Sequence, residues 1–221
     1  AAAEMVVNYT ETLENRERVI FKYPKMVIGV GEDECQQLRE RFEIFREVFT
    51  TMQLLEKEQI AEVEPEVVLI DGELRPEPCV ALAVLDEYSA VDFNQLSETF
   101  VNEAQKQSDK DLHVLFNHHV EEIVEENGIF RIHTDERVIK AKSVVVSAGG
   151  HSLLLAQQMG HGLEFSCLPV AGSFYFTPKV LNGKVYTVQN DKLPFAAVHG
   201  DPDVLVDGKT RFGPTALLLP L

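Results

Sequence analysis

The sequence predicts a mixed α/β and α+β fold in two parts, each discontinuous along the chain. Three observations predict it. The β-branched run Ser143-Val144-Val145-Val146-Ser147-Ala148 ends at Gly149-Gly150 and passes into an apolar, helix-like stretch over 153–159, the pattern of a buried parallel strand feeding a helix. Upstream of it, helical periodicities are interleaved with short strand-like runs. From Leu163 onward the character changes to period-two alternation punctuated by Asn182-Gly183 and Asp207-Gly208, which reads as a β-rich region with hairpin turns.

The elements follow in order. Residues 19–30 are strand-like, interrupted at Tyr23-Pro24-Lys25 and closed by Gly29 and Gly31. Glu32, Asp33 and Glu34 suit a helix N-terminus, and Leu38, Phe42, Phe45, Phe49 and Met52 form one apolar helical stripe that predicts core packing. Residues 53–56 predict a short strand, and 60–64 a short acidic helix stopped by Pro65. The segment 66–91 reads as irregular with short strands. Asp92 is placed to cap a helix over 93–106, with Leu96, Phe100 and Ala104 on one face. Residues 113–116 and 120–123 read as extended. Asn127-Gly128 predicts a hairpin joining 121–126 to 129–134, and a second turn near Asp135-Glu136 leads through 138–142 to the glycine-ended strand. In the last third, 168–176 and 184–189 alternate like strands.

Composition narrows the function. A net charge of −16 over 221 residues, with pI near 4.8, argues against nucleic acid and against adsorption on anionic lipid through a basic patch. No apolar run approaches the ~20 residues of a membrane span. Cys35, Cys79 and Cys167 are far apart and lack metal-ligand spacing, so they read as reduced, buried thiols of a cytoplasmic protein. His118-His119 is not a metal pair, because adjacent strand residues point to opposite faces, and no metal site is predicted. The acidic pairs Glu121-Glu122 and Glu125-Glu126 read as solvated hairpin surface. The start at Ala1-Ala2-Ala3 and the apolar end at Ala216-Leu217-Leu218-Leu219-Pro220-Leu221 suggest a piece of a longer protein.

Gly149 and Gly150 point to a nucleotide cofactor, since glycines after a strand allow close backbone approach and the following helix offers free N–H groups to an anion. The usual partner, G-x-G-x-x-G, occurs nowhere in the chain. On these residues alone, an ordinary strand-to-helix turn stays open.

The ordered series resembles the FAD-dependent oxidoreductases of the D-amino-acid-oxidase and glycerol-3-phosphate-dehydrogenase superfamily, most of all malate:quinone oxidoreductase and L-2-hydroxyglutarate oxidase. The carrying segments are 54–65, ending at Pro65; 91–96; His119-Val120-Glu121-Glu122-Ile123; 144–152; 168–175; Val198-His199-Gly200-Asp201; 206–209; and 212–216. The resemblance implies a partial FAD-binding, Rossmann-like domain with a β-rich substrate domain. Its division would be 1–8 as a remnant of the FAD domain, 9–91 as the first part of the substrate domain, 92–162 as the middle of the FAD domain, 163–208 as the second substrate part and 209–221 as a return strand.

The resemblance also implies roles. Val120, Ala148, Gly149, Gly150 and Gly213 would contact FAD in the full-length protein, with the isolated piece expected to lack it because the dinucleotide fingerprint is absent. His199 is the candidate base that removes the hydroxyl proton of a 2-hydroxy acid, with Asp201 fixing its tautomer. Arg211 would pair with a substrate carboxylate and Tyr175 would line the substrate side. His199 also reads as part of a plain surface turn, Arg211 as part of a solvated strand face and Tyr175 as a packing residue. Electrons would pass to a quinone or to oxygen, and peripheral association with the inner membrane face is compatible with that chemistry. An amine-oxidising member acting on glycine or D-amino acids is the alternative, as is a non-catalytic binding module for the isolated chain. Asp203 stands where the malate:quinone branch has a basic residue, with one residue more, and this departure puts the dicarboxylate specificity in question.

Overall fold

The computed structural model describes residues 2–189 and 197–219; Ala1 and Pro220-Leu221, on which the reading of the chain ends rested, lie outside the described residues. The chain is mixed α/β with several sheets and divides into two compact units. One comprises the residues up to Glu103 with Ala171–Leu217; the other comprises Ala104–Val170 with the segment from Leu218.

The first unit opens with α1 (Ala2–Thr10), held to a later helix by Tyr9, whose hydroxyl donates to Thr99 Oγ1 at 3.2 Å. The strand-like run then appears as β1 (Ile20–Lys22) and β2 (Lys25–Val30), broken at Pro24 as predicted. Next, α2 (Glu32–Phe45) begins on its three acidic residues. It ends at Phe45, so Phe49 and Met52 of the predicted stripe lie outside it; Leu38 is buried, whereas Phe45 and Phe49 are exposed. Then come β3 (Gln53–Glu56) and α3 (Lys57–Val63). Pro65 does not stop the helical region. It opens a further turn, α4 (Pro65–Val68), where its missing N–H has no bond to forfeit.

The irregular stretch contains β4 (Leu69–Ile70), β5 (Glu73–Leu74), β6 (Cys79–Val84) and β7 (Tyr88–Val91). Asp92 caps α5 (Phe93–Gln105) as expected, Oδ1 accepting the N–H groups of Asn94 and Gln95 at 3.0 and 3.1 Å.

In the second unit the predicted hairpin is present: β8 (Val120–Glu126) and β9 (Ile129–Thr134) pair across Asn127-Gly128, both with positive φ, and β10 (Val138–Ala141) completes a three-stranded meander. The segment 143–148 is not the buried parallel strand that its β-branched run predicted. Val145 is 88% exposed, and none of the described strands pairs with its backbone. The strand-to-helix turn itself is there: Gly149 has φ +58°, and α6 (His151–Gln158) follows Gly150. Residues 113–116 form no strand. Cys35 and Cys79 are buried free thiols, but Cys167 is exposed.

Two-residue strands β11 (Val170–Ala171) and β16 (Leu217–Leu218) lie where the chain passes between units. The first unit is completed by β12 (Tyr175–Pro178), β13 (Lys184–Thr187), β14 (His199–Pro202) and β15 (Lys209–Gly213). Its main sheet has seven strands in the order β12-β15-β14-β13-β2-β6-β3, antiparallel except for the parallel pair β13–β2. Residues 209–213 are thus an interior strand of this sheet, so a return strand can begin only after Gly213.

Both faces of the sheet are used. Met26, Ile28, Ala81, Ala83 and Val185 pack against α3 and α4 through Ile60 and Val68. On the other face Val27, Val80 and Leu82 pack against Cys35 and Leu38 of α2.

Asn182-Gly183 is not a hairpin turn. Neither residue has positive φ, and β13 leaves it to pair with β2 and β14, not with β12. Tertiary contacts hold this corner instead. The buried Glu64 carboxylate accepts the N–H groups of Asn182 (2.9 Å) and Gly183, and a Cβ on Gly183 would lie 2.1 Å from the Pro24 carbonyl oxygen. Asp207-Gly208, by contrast, does close a turn between the antiparallel β14 and β15, with Gly208 at φ +70°.

Candidate functional site

Alternation along a strand sends every second side chain to the same face, and register then decides which strands' residues meet. Tyr186 of β13 is aligned with Val27 of β2, so Lys184 and Tyr186 share the face that α2 covers further along the sheet. On β14, His199 pairs with Tyr186 and Asp201 with Arg211 of β15. Beyond the reach of α2, this face therefore presents Lys184, Tyr186, His199, Asp201 and Arg211, with Phe174 beside them.

The charges form a compact group. Asp201, 3% exposed, accepts two hydrogen bonds from Arg211, from Nε at 3.1 Å and from Nη2 at 2.8 Å, and Lys184 Nζ stands 3.8 Å from its Oδ2. The side-on grip engages two of five guanidinium donors; among the described residues Nη1 makes no hydrogen bond. Arg211 is thereby oriented with an end-on fork left for a second carboxylate. The hydrogen bond to Asp201 raises the Arg211 pKa further, so the group is a permanent cation, whereas burial pulls the Lys184 ammonium down against the opposing attraction of Asp201.

His199 is held differently from the expectation. Asp201 is committed to Arg211 and does not fix the imidazole. The Nδ1 of His199 lies 3.1 Å from the carbonyl oxygen of Ala197, which can only accept, so Nδ1 carries the proton and Nε2 is left with its lone pair. The ring stacks on Tyr186 (centroids 4.6 Å, interplanar 25°) and meets the Phe174 ring edge-to-face at 5.7 Å. Arg211 in turn lies over Phe174, 5.3 Å from its centroid.

Tyr175 is not brought to this group. It pairs with Phe212, whose side chain packs against the α3–α4 core, so the pleat turns it to the opposite face, where it is 70% exposed. Phe174, one position earlier, takes the expected place. Gly213 is seated under that ring: a Cβ there would come 2.7 Å from the Ser173 oxygen and 2.9 Å from Phe174. Its missing side chain makes room for Phe174, and not, on that side, for a cofactor. Asp203 serves its own loop through Oδ1, accepting the N–H groups of Leu205 (2.7 Å) and Val206 (2.9 Å), while its Oδ2 stands 3.6 Å from Arg211 Nε.

Sequence reasoning did not single out Lys184, Tyr186 or Phe174. The signal was present in the strand-like alternation of 184–189 and 168–176, but only pairing with β14 and β15 tells which parity faces the histidine.

The second unit gathers the remaining residues. Val120, Ala148 and His151 line an open cleft of about 1000 Å³ whose walls include Ile132, Val144 and Leu154. A Cβ built on Gly149 or Gly150 meets nothing within 4 Å, so the backbone here is open to approach. His118 and His119 border the same cleft, and among the described residues no group of three or more potential metal ligands exists.

The family model for malate:quinone oxidoreductase matches residues 4–219. A probable malate:quinone oxidoreductase of Helicobacter pylori is 49% identical over 204 residues, covering 91% of this chain and 45% of that protein. One from Campylobacter jejuni is 45% identical over 224 residues, covering 99% of this chain and 50% of the relative. The chain thus spans about half the length of these curated relatives. Among solved structures, glycine oxidase from Bacillus cereus superposes with a TM-score of 0.72 at 17% identity, covering 98% of this chain and 56% of that one, a likeness of fold. Glycine oxidase from Geobacillus kaustophilus does so with a TM-score of 0.70 at 17% identity, covering 97% and 54%.

Proposed function

The chain belongs to the malate:quinone oxidoreductase family, and from that premise we propose that it is the central part of a flavoenzyme that oxidises malate or a closely similar 2-hydroxy acid and passes the electrons to a quinone. The observation that carries this reading is the oriented set on one sheet face: a histidine whose Nε2 and an arginine whose end-on fork are both unengaged among the described residues.

The residues fit that chemistry. Arg211, held side-on by Asp201, pairs with the substrate carboxylate and fixes the 2-hydroxy carbon relative to His199. His199 Nε2 takes the hydroxyl proton, and the Ala197 carbonyl stabilises the resulting imidazolium through Nδ1–H. FAD, when bound, supplies the acceptor for the hydride that leaves the carbon. In the second unit, Val120, Ala148, Gly149 and Gly150 would hold the dinucleotide; apolar walls and an unobstructed glycine backbone suit a flat, partly apolar ligand. The seven-stranded unit is the substrate domain in this reading. Among the described residues no helix is long and apolar enough to cross a membrane, and reaction with a membrane quinone calls for peripheral attachment of the whole enzyme.

The test uses the full-length enzyme containing this chain. Purified anaerobically, it should be yellow and bleach on addition of L-malate or 2-hydroxyglutarate but not glycine or D-alanine. His199→Asn should keep the flavin and slow bleaching about a hundredfold or more. A colourless protein indifferent to FAD, or bleaching by the amino acids alone, would overturn the proposal.

A further inference from the structure

We propose that Tyr186 is a positioning residue for His199, acting through its ring and not through its hydroxyl. The inference rests on the reading of His199 as the base.

A single hydrogen bond leaves an imidazole poorly defined, because the ring can still swing about the axis through Nδ1 and its acceptor. The Ala197 carbonyl sets the tautomer and anchors one atom. What fixes the plane, and hence the direction in which the Nε2 lone pair points, is the pair of aromatic walls. Tyr186 lies directly across the β13–β14 ladder from His199 and covers one face of the ring at 4.6 Å and 25°. Phe174 meets it edge-on at 5.7 Å and 70°. Aromatic contacts of these two geometries are attractive beyond the area they bury, and together they leave the imidazole one orientation.

Three further facts favour the ring as the acting part. Among the described residues no hydrogen bond holds the Tyr186 hydroxyl. Burial, with Asp201 adding to it and Arg211 opposing, keeps the phenol neutral, so His199 always stacks on an uncharged surface. Finally, the height of Tyr186 on the sheet is set from outside the site. Lys184 N–H donates to the Pro24 carbonyl at 2.7 Å, and the preceding Asn182-Gly183 corner is held by Glu64, which locks β13 in register with β2.

The experiment uses the full-length enzyme with ¹⁵N-histidine labelling, comparing wild type, Tyr186→Phe and Tyr186→Leu, with flavin content as the check on folding. Wild type and Tyr186→Phe should show His199 as one Nδ1–H tautomer and keep kcat within about twofold. Tyr186→Leu should let the ring swing away from the Ala197 carbonyl that sets its tautomer, so that it shows exchanging tautomers and loses about tenfold in kcat with KM nearly unchanged, the scale of one lost aromatic contact. Tyr186→Leu with wild-type kcat and a single tautomer would overturn the proposal, as would a Tyr186→Phe variant as impaired as Tyr186→Leu. If Tyr186→Leu does not fold, an Nε2–H tautomer in the wild-type protein still overturns it and an Nδ1–H tautomer with an unimpaired Tyr186→Phe supports it. Should His199→Asn oxidise malate normally, the assignment of the base fails, while the tautomer spectra still decide whether Tyr186 positions the ring.

Discussion

Replacing Glu64 by alanine should destabilise the seven-stranded unit by about 3 kcal/mol at pH 7. The Glu64 carboxylate is 0% exposed and bridges a long sequence gap, accepting the N–H of Asn182 at 2.9 Å and that of the buried Gly183. A hydrogen bond to a charged group contributes roughly 1.5–3 kcal/mol, and a buried donor left without an acceptor forfeits its desolvation as well. Asn182 is exposed and can turn to water, so the larger share falls on Gly183. With a urea m-value of about 2 kcal/mol/M, the midpoint should fall by about 1.5 M at unchanged m. Glu64→Gln separates charge from shape. It keeps one acceptor but sets an amide donor against a backbone donor, for an expected loss of about 2 kcal/mol.

The pH dependence has a definite sign. Burial, the largest cause, raises the Glu64 pKa above 4.5, against the backbone donors and Lys179. A raised folded-state pKa contributes stability that is full below 4.5 and is lost as pH rises through the raised value. The stability gap between wild type and Glu64→Gln should therefore be widest near pH 4.5 and narrow above it. A Glu64→Ala variant within about 0.5 kcal/mol of wild type, or a gap that widens with pH, would refute the account.

Other consequences are equally measurable. Gly183→Ala should lower the thermal midpoint by more than about 5 °C, since its Cβ would sit 2.1 Å from a backbone oxygen and force β13 off β2. Asp201→Asn should cost about 3 kcal/mol in denaturant unfolding by taking from Arg211 and Lys184 the nearest counter-charge, with Asp203 Oδ2 still 3.6 Å from Arg211 Nε; Lys184→Met should change stability by under about 1 kcal/mol, because removing the ammonium also removes its burial penalty. Arg39→Gln breaks a bidentate but exposed pair with Glu56, and should cost under about 1 kcal/mol, an effect that disappears near 1 M salt.

Much of the candidate site could be read before any coordinates. His199 and Asp201 are two apart, and strand geometry alone puts them on one face. Which neighbour Asp201 serves could not be read: the β14–β15 register sets it opposite Arg211, leaving the histidine to a backbone carbonyl. Tyr175 failed by one residue for a related reason. Period-two alternation reports that two faces exist, but which of them carries the site depends on how β12 meets β15.

The contrast between two Asn-Gly pairs states the division most clearly. Asn127-Gly128 makes its hairpin because positive φ at adjacent residues is a local property, decided within four residues of chain. Asn182-Gly183 has the same composition and does otherwise, because Glu64 and Pro24, more than a hundred residues away, supply stronger partners than a turn could. By itself the sequence determined what depends on neighbours along the chain: the mixed fold class, the Asp92 cap, the Asn127 hairpin, the glycine turn into α6, and membership of a family through ordered local segments. Only the tertiary structure decided register, the exposure of 143–148, and the pairing of Asp201 with Arg211 and not with His199, since these depend on which strands lie side by side, and separation in sequence carries no information about alignment in space.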